Sequence, residues 1–162
     1  MNNNTITFRN NPILEDSQNV KRIIESTGFF YDFEVDVAVE LVDERLSKGI
    51  DSGYLFTFIE VDNEVAGYAC YGLIPCTVCS YDLYWIAVDN KFRGQGLGKK
   101  IMTEVEKEIA KIGGRNIYIE TSAREKYIPT QNFYISCNCT LEARFKDFYD
   151  LDDDKLVYVK RV

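Results

Sequence analysis

The sequence has no histidine, and this absence excludes more chemistry than any other feature of its 162 residues. Ser-His-Asp and Cys-His nucleophile arrangements, histidine-ligated haem and histidine-containing zinc sites are all ruled out. Proton transfer then falls to a carboxylate, a tyrosine, a cysteine, a lysine or water. Basic residues are in deficit too: 19 Lys and Arg against 26 Asp and Glu leave a net charge of −7. Proteins that coat nucleic acid draw their affinity from a basic face, so nucleic acid is not an expected partner, whereas a cationic one is easily accommodated. With only 3 prolines and 10 glycines in a chain that is 46% hydrophobic, fibrous and disordered classes are excluded. No apolar run approaches the ~20 residues of a membrane span. The opening Met1-Asn-Asn-Asn-Thr5 carries no apolar leader, so a cytoplasmic location without a membrane partner is expected.

The five cysteines, Cys70, Cys76, Cys79, Cys137 and Cys139, are odd in number, which favours reduced thiols. The pairs Cys76-x-x-Cys79 and Cys137-x-Cys139 have the donor number of a four-thiolate zinc site. Small apolar core residues and a loop are the simpler account, and no metal is expected. The length suits one domain over 1–162 with a sizeable core.

Ile6–Arg9 reads as an opening strand. Helical spacing of Val20, Ile23 and Ile24 predicts a helix over Leu14–Ser26, stopped by Gly28. Val35, Ala38, Leu41, Val42 and Leu46 predict a second over Glu34–Ser47. The period then changes. Tyr54–Val61 and Val65–Leu73 are rich in aromatic and β-branched residues and read as a hairpin joined by Asp62-Asn63-Glu64. Tyr81–Val88 is apolar on both faces after Asp82, which predicts a central strand. A glycine-rich loop over Asn90–Gly98 leads into a helix with Leu97, Ile101, Val105, Ile109 and Ile112 on its buried face. Asn116–Ser122 reads as a strand parallel to Tyr81–Val88 through a right-handed crossover. A helix from about Pro129 follows, then strands over Thr140–Tyr149 and Leu156–Val162, with the acidic run Asp150–Lys155 as a solvated turn. The order is β-α-α-β-β-β-α-β-α-β-β, an α+β layered domain.

The chemistry is concentrated in Arg93-Gly94-Gln95-Gly96-Leu97-Gly98-Lys99-Lys100. Between a strand and a helix, glycines let the backbone approach a ligand, and the first helical N–H groups face an anion with the helix dipole behind them. A pyrophosphate fits that description. The dinucleotide fingerprint G-x-G-x-x-G and the nucleotide-triphosphate loop G-x-x-x-x-G-K-[ST] both fail on spacing.

The segment Ile86-Ala-Val-Asp-Asn-Lys-Phe-Arg-Gly-Gln-Gly-Leu-Gly98 resembles the acetyl-CoA loop of the GCN5-related N-acetyltransferase (GNAT) superfamily. That pattern, Arg/Gln-x-x-Gly-x-Gly/Ala, is matched by Arg93, Gly96 and Gly98. The element order resembles the family's over nearly the whole chain, and Tyr127–Tyr134 resembles a second block in which a helix carries a Phe-Tyr pair. The resemblance implies a three-layer α/β/α domain with a mixed, largely antiparallel sheet and a β-α-β acetyl-CoA-binding core. It implies acetyl-CoA as acyl donor, with no metal, and direct transfer to a primary amine of a small molecule or peptide. Backbone groups of Ile86, Ala87 and Val88 would follow the pantetheine arm where the fourth and fifth strands part, the Val88 N–H serving as an oxyanion donor. Gly94, Gln95, Gly96, Leu97, Gly98 and Lys99 would wrap the pyrophosphate, and Arg93 would orient the loop. Tyr134 matches the tyrosine that reaches the CoA sulfur as general acid.

An amine of pKa ~8–10 is mostly protonated at neutral pH and must lose a proton before it attacks. Asp82 stands where some relatives have a catalytic glutamate, and it shares a strand face with Tyr84, Ile86 and Val88. It is a candidate base, substrate ligand or plain strand residue, with Tyr84 and Glu120 in reserve. The first two helices, including Gly28-Phe-Phe-Tyr-Asp-Phe-Glu34, would cover the acceptor, where Asp32, Glu34 and Asp36 suit a cation. The family's Gly-aromatic after the Phe-Tyr helix is Asn138-Cys139 here; Asn tolerates the left-handed conformation that the turn needs. Its Asn before that helix is replaced by Tyr127 or missing, and Asn132 is out of step. A transferase for another acyl group and a CoA-binding module without turnover are the alternatives, and a homodimer is left open.

Overall fold

The computed structural model describes residues 4–162; the first three residues of the polar opening segment lie outside them. The elements are β1 (Ile6–Arg9), α1 (Asp16–Thr27), α2 (Asp32–Lys48), β2 (Leu55–Val61), β3 (Glu64–Leu73), β4 (Ser80–Val88), α3 (Leu97–Lys111), β5 (Asn116–Ser122), α4 (Ile128–Ser136), β6 (Thr140–Asp150) and β7 (Asp153–Arg161). This is the expected order. The seven strands form one mixed sheet, β1-β2-β3-β4-β5-β7-β6. Pairing is antiparallel for β1–β2, β2–β3, β5–β7 and β6–β7 and parallel for β4–β5, where Asp82 faces Tyr118.

The residues group into two compact units: one up to Gly72 with Tyr84–Val105, the other Leu73–Leu83 with Glu106–Val162. In the first, Val20, Ile23 and Ile24 of α1 and Val35, Ala38 and Val42 of α2 share one apolar cluster with Phe56, Phe58 and Tyr68. The aromatic rings of β2 and β3 stack at 5.7–6.4 Å, which gives the helices a flat surface to cover. In the second, Ile117 and Ile119 of β5 are buried with Leu156, Tyr158 and Val159 of β7 and Ile109 of α3.

Three local expectations change. Asp62 and Asn63 both have positive φ (51° and 67°), so the β2–β3 turn has two residues and Glu64 begins β3. Ile112 lies beyond the end of α3 and is exposed, because the helix stops before its stripe recurs. The acidic run is a solvated turn only as far as Asp152: Asp153 and Asp154 open β7 and are 6% and 8% exposed. Asp153 accepts from the Ser122 hydroxyl at 2.5 Å and pairs with Arg124 at 3.1 Å. Asp154 accepts from the Asp147 amide at 2.9 Å and from Arg144 at 2.5 Å. Buried carboxylates persist where such donors replace water.

Candidate active site

In the first unit, the predicted loop leaves β4 through a single 3-10 turn, Asn90–Phe92. Phe92 and Leu97 are buried and Arg93–Gly96 between them are exposed, so two apolar side chains pin a segment whose middle faces solvent. Gly94 and Gly96 have φ of +78° and +71°, where a side chain is strained, and a Cβ at either would meet nothing within 4 Å. Glycine is thus required there by backbone conformation, with open space above the loop. The Lys100 N–H reaches the Gly96 carbonyl at 3.3 Å, the start of the α3 ladder. The amides of Leu97, Gly98 and Lys99 precede that ladder and form the helix's positive end. The first turn of α3 holds no acidic residue, and Lys99 and Lys100 are exposed on it. The Arg93 guanidinium lies 3.4 Å from the Asn90 side-chain oxygen. This arrangement can cradle a polyanion.

Along β4 the pleat sorts the candidates. Tyr81, Leu83 and Ala87 are buried, whereas Asp82, Ile86 and Val88 are half-buried and Tyr84 is exposed. The face with Asp82, Tyr84, Ile86 and Val88 is the more open one, as two-residue alternation required. Tyr84 packs edge-to-face on Tyr54 at 5.7 Å.

In the second unit, burial and the nearby Glu120 carboxylate raise the Asp82 pKa above the ordinary aspartate value, with the Lys155 ammonium opposing. Glu120 is tied to Lys155 at 3.0 Å, and that ammonium also sits 3.8 Å from the Phe148 ring centre and 5.2 Å from that of Phe145. Tyr149 is pushed up to about 12, first by burial and then by Glu120. Asp82 therefore has a higher proton affinity than a solvated aspartate, which suits a group that must accept a proton.

Tyr134 lies on α4 with Pro129 in its first turn and is 6% exposed. Its ring packs against Phe133 at 5.4 Å and Tyr158 at 5.8 Å. Burial holds its phenol well above the usual range, with Cys139 and Cys137 adding to the effect, so it is protonated at any physiological pH. The helix ends with Asn138 at φ +59°. The Cys139 N–H bonds to the Tyr134 carbonyl at 3.0 Å and the Asn138 N–H to that of Ile135 at 2.9 Å, the paired bonds of a Schellman cap. Asn138 thus makes the turn that glycine makes in the family pattern.

Arg93 through Lys99 and the end of β4 belong to the first unit; Asp82 and Tyr134 belong to the second. Glu34 is already engaged, accepting the Tyr31 N–H at 2.8 Å as a helix cap, while Asp32 and Asp36 are exposed beside the stacked rings of Tyr31 and Phe33. None of the five cysteines is in a disulfide: Cys70, Cys137 and Cys139 are buried, and burial pushes Cys139 up to about 12. Among the described residues no group of three or more Cys, Asp or Glu is placed to hold a metal ion, and no helix is long and apolar enough to cross a membrane. Asp89 and Arg22 are functional candidates that local sequence pattern does not mark. The only signal for Asp89 was its place between β4 and the loop, and Arg22 gave none.

A family model for the GNAT acetyltransferases matches residues 21–137. A crystal structure of a protein assigned to that family from Desulfovibrio desulfuricans is 44% identical over 97% of this chain and 99% of that one, with a TM-score of 0.95. At lower identity the fold is shared with PaiA N-acetyltransferase from Thermoplasma acidophilum in complex with coenzyme A (17%, 98% and 99% covered, TM-score 0.73). It is also shared with an aminoglycoside 6'-N-acetyltransferase from Enterococcus faecium (14%, 97% and 96% covered, TM-score 0.75). With its loop, its order of elements and these matches, the chain belongs to the GNAT family of acetyltransferases.

Proposed function

We propose that this protein transfers the acetyl group of acetyl-CoA directly to a primary amine within a ternary complex. The observation that carries the reading is the exposed Gly94–Gly96 segment, both of its glycines in left-handed conformation, opening onto the first turn of α3 with Lys99 and Lys100. The coenzyme A complex of PaiA and the nitrogen acceptor in both named N-acetyltransferases support the same choice of donor and acceptor.

Gly94, Gln95, Gly96, Leu97, Gly98 and Lys99 hold the pyrophosphate through their amides, with Arg93 fixing the loop. Ile86, Ala87 and Val88 guide the pantetheine arm, and the Val88 N–H receives the negative charge that grows on the thioester oxygen. Asp82 takes the ammonium proton, directly or through water. The free amine attacks the carbonyl carbon, a C–N bond forms, and the C–S bond breaks with its electron pair on sulfur. The Tyr134 phenol hydrogen-bonds to that sulfur and supplies the proton, and the second proton, shed by the new amide nitrogen as the adduct collapses, restores the phenol directly or through water. In water a phenol is a weaker acid than a thiol, so this transfer needs a desolvated sulfur, whose proton affinity rises by the same cause.

Incubating the protein with acetyl-CoA and a panel of primary amines should release CoA thiol in step with amide formation. Tight CoA binding without turnover across the panel would instead identify a binding module. Gly96→Trp should abolish CoA binding by filling the space above the loop, and unchanged affinity removes the site from this segment. Tyr134→Phe should lower kcat about 100-fold with CoA affinity retained; a rate equal to the parent's across pH rejects the acid role.

A further inference from the structure

We propose that Arg22 of α1, acting through Asp89, is a positioning residue that holds the start of the cofactor loop in its binding conformation. This rests on the reading of Gly94–Lys99 as the pyrophosphate site. Asp89 is the first residue after β4 and is 5% exposed, and both oxygens of its carboxylate are engaged. One oxygen accepts the Lys91 N–H at 2.9 Å and so caps the 3-10 turn that begins the loop. The other is paired with the Arg22 guanidinium. The second arm of that guanidinium donates to the Val65 carbonyl at 2.7 Å, and the Asp89 N–H donates to the Ala66 carbonyl at 2.8 Å. One turn further along α1, the Ser26 hydroxyl accepts the Asn90 N–H at 3.0 Å. Helix α1 and strand β3 therefore hold Asp89 and Asn90 by three hydrogen bonds, with Arg22, Ala66 and Ser26, immediately before the segment whose amides must converge on phosphate.

A buried carboxylate and a half-buried guanidinium are costly to desolvate, and a pair of apolar residues would fill the same space without that cost. What the charged pair adds is direction. It orients the carboxylate so that its other oxygen meets Lys91 N–H, and a loop fixed in advance loses less freedom when the ligand binds.

The test measures CoA affinity by calorimetry and steady-state kinetics with acetyl-CoA on the whole protein. Asp89→Asn keeps an oxygen for the Lys91 amide and removes only the charge that holds Arg22; Arg22→Met removes the guanidinium. Each should raise the CoA Kd and the KM for acetyl-CoA about 10-fold while kcat at saturation moves little. The double variant should be no weaker than the weaker single one, because both act through one pair. Arg22→Lys should recover part of the loss, since it restores the charge without the second arm to Val65. Folded variants that bind CoA like the parent overturn the proposal, as do losses that simply add. Where Arg22→Met fails to fold, Asp89→Asn and Arg22→Lys decide on the same readings. A parent protein that does not bind CoA sinks the site assignment and this proposal with it, whereas failure confined to the variants sinks this proposal alone.

Discussion

Asp82 shows how much of a residue's chemistry is set by its neighbours. Alone, an aspartate is ionised well below neutral pH and is a poor acceptor for an ammonium proton. Here burial and Glu120 raise its pKa, and Lys155 restrains the rise. A base must be deprotonated to act, so kcat/KM should fall as pH drops through this raised value rather than through the ordinary one. Glu120→Gln removes a repulsion and should move the acidic limb to lower pH; Lys155→Met removes the opposing cation and should move it to higher pH. Limbs that stay put in both pH-rate profiles exclude Asp82 as the titrating base. The linkage to stability has the opposite sign from that of a salt-bridged aspartate. The folded state binds the proton more tightly than the unfolded one, so the ionised group opposes folding above the folded pKa. Asp82→Asn should therefore melt no lower than the parent at neutral pH, an advantage that disappears in acid, while turnover drops by at least about 100-fold.

At the scale of elements, the end of α4 is the clearest case of a substitution that preserves geometry. Asn138 occupies the left-handed position and closes both bonds of the cap, one of them on the carbonyl of Tyr134 itself. Lys160 adds a bond at 2.9 Å to the Cys137 carbonyl, a cation at the negative end of the helix. Asn138→Ala should cost about 1 kcal/mol, the penalty for a β-carbon in that region, and Asn138→Gly should be neutral or slightly stabilising. Urea midpoints read both. An Ala variant as stable as the parent would show that the cap carries no strain. The hairpin β6–β7 is the contrasting element. Its acidic stretch has the composition of a solvated turn, yet Ser122, Arg124, Arg144 and the Asp147 amide bring donors to Asp153 and Asp154, and strand pairing resumes within two residues.

For the molecule as a whole, a net charge of −7 and the polyanionic donor proposed for it are reconciled by where the charges lie. Arg93, Lys99 and Lys100 are exposed at one loop, and Lys91 beside them is offset by Glu64 at 2.6 Å. Attraction at that loop must outweigh the repulsion of the remaining surface. Both are screened by salt, but the short-range attraction is screened less. CoA affinity should accordingly weaken only modestly, by roughly threefold or less, between low salt and about 0.15 M ionic strength, against the steep loss typical of a basic groove on nucleic acid. A steep loss measured by titration would mean that long-range steering dominates instead.

Strand and helix order, the hairpin, the glycine loop and the ban on histidine mechanisms followed from the sequence by itself, because periodicity, turn chemistry and residue inventory are local properties. The family pattern was legible for the same reason: Arg93, Gly96 and Gly98 stand within six residues. Three things were decided only in the tertiary structure. Asp153 and Asp154 became buried, Asp82 gained proton affinity from burial and then from Glu120 on the next strand, and Arg22 met Asp89 across 67 positions of chain. Each depends on the distance between charges and on the water taken from around them. Those quantities come into being when remote segments pack, and no spacing along the chain encodes them.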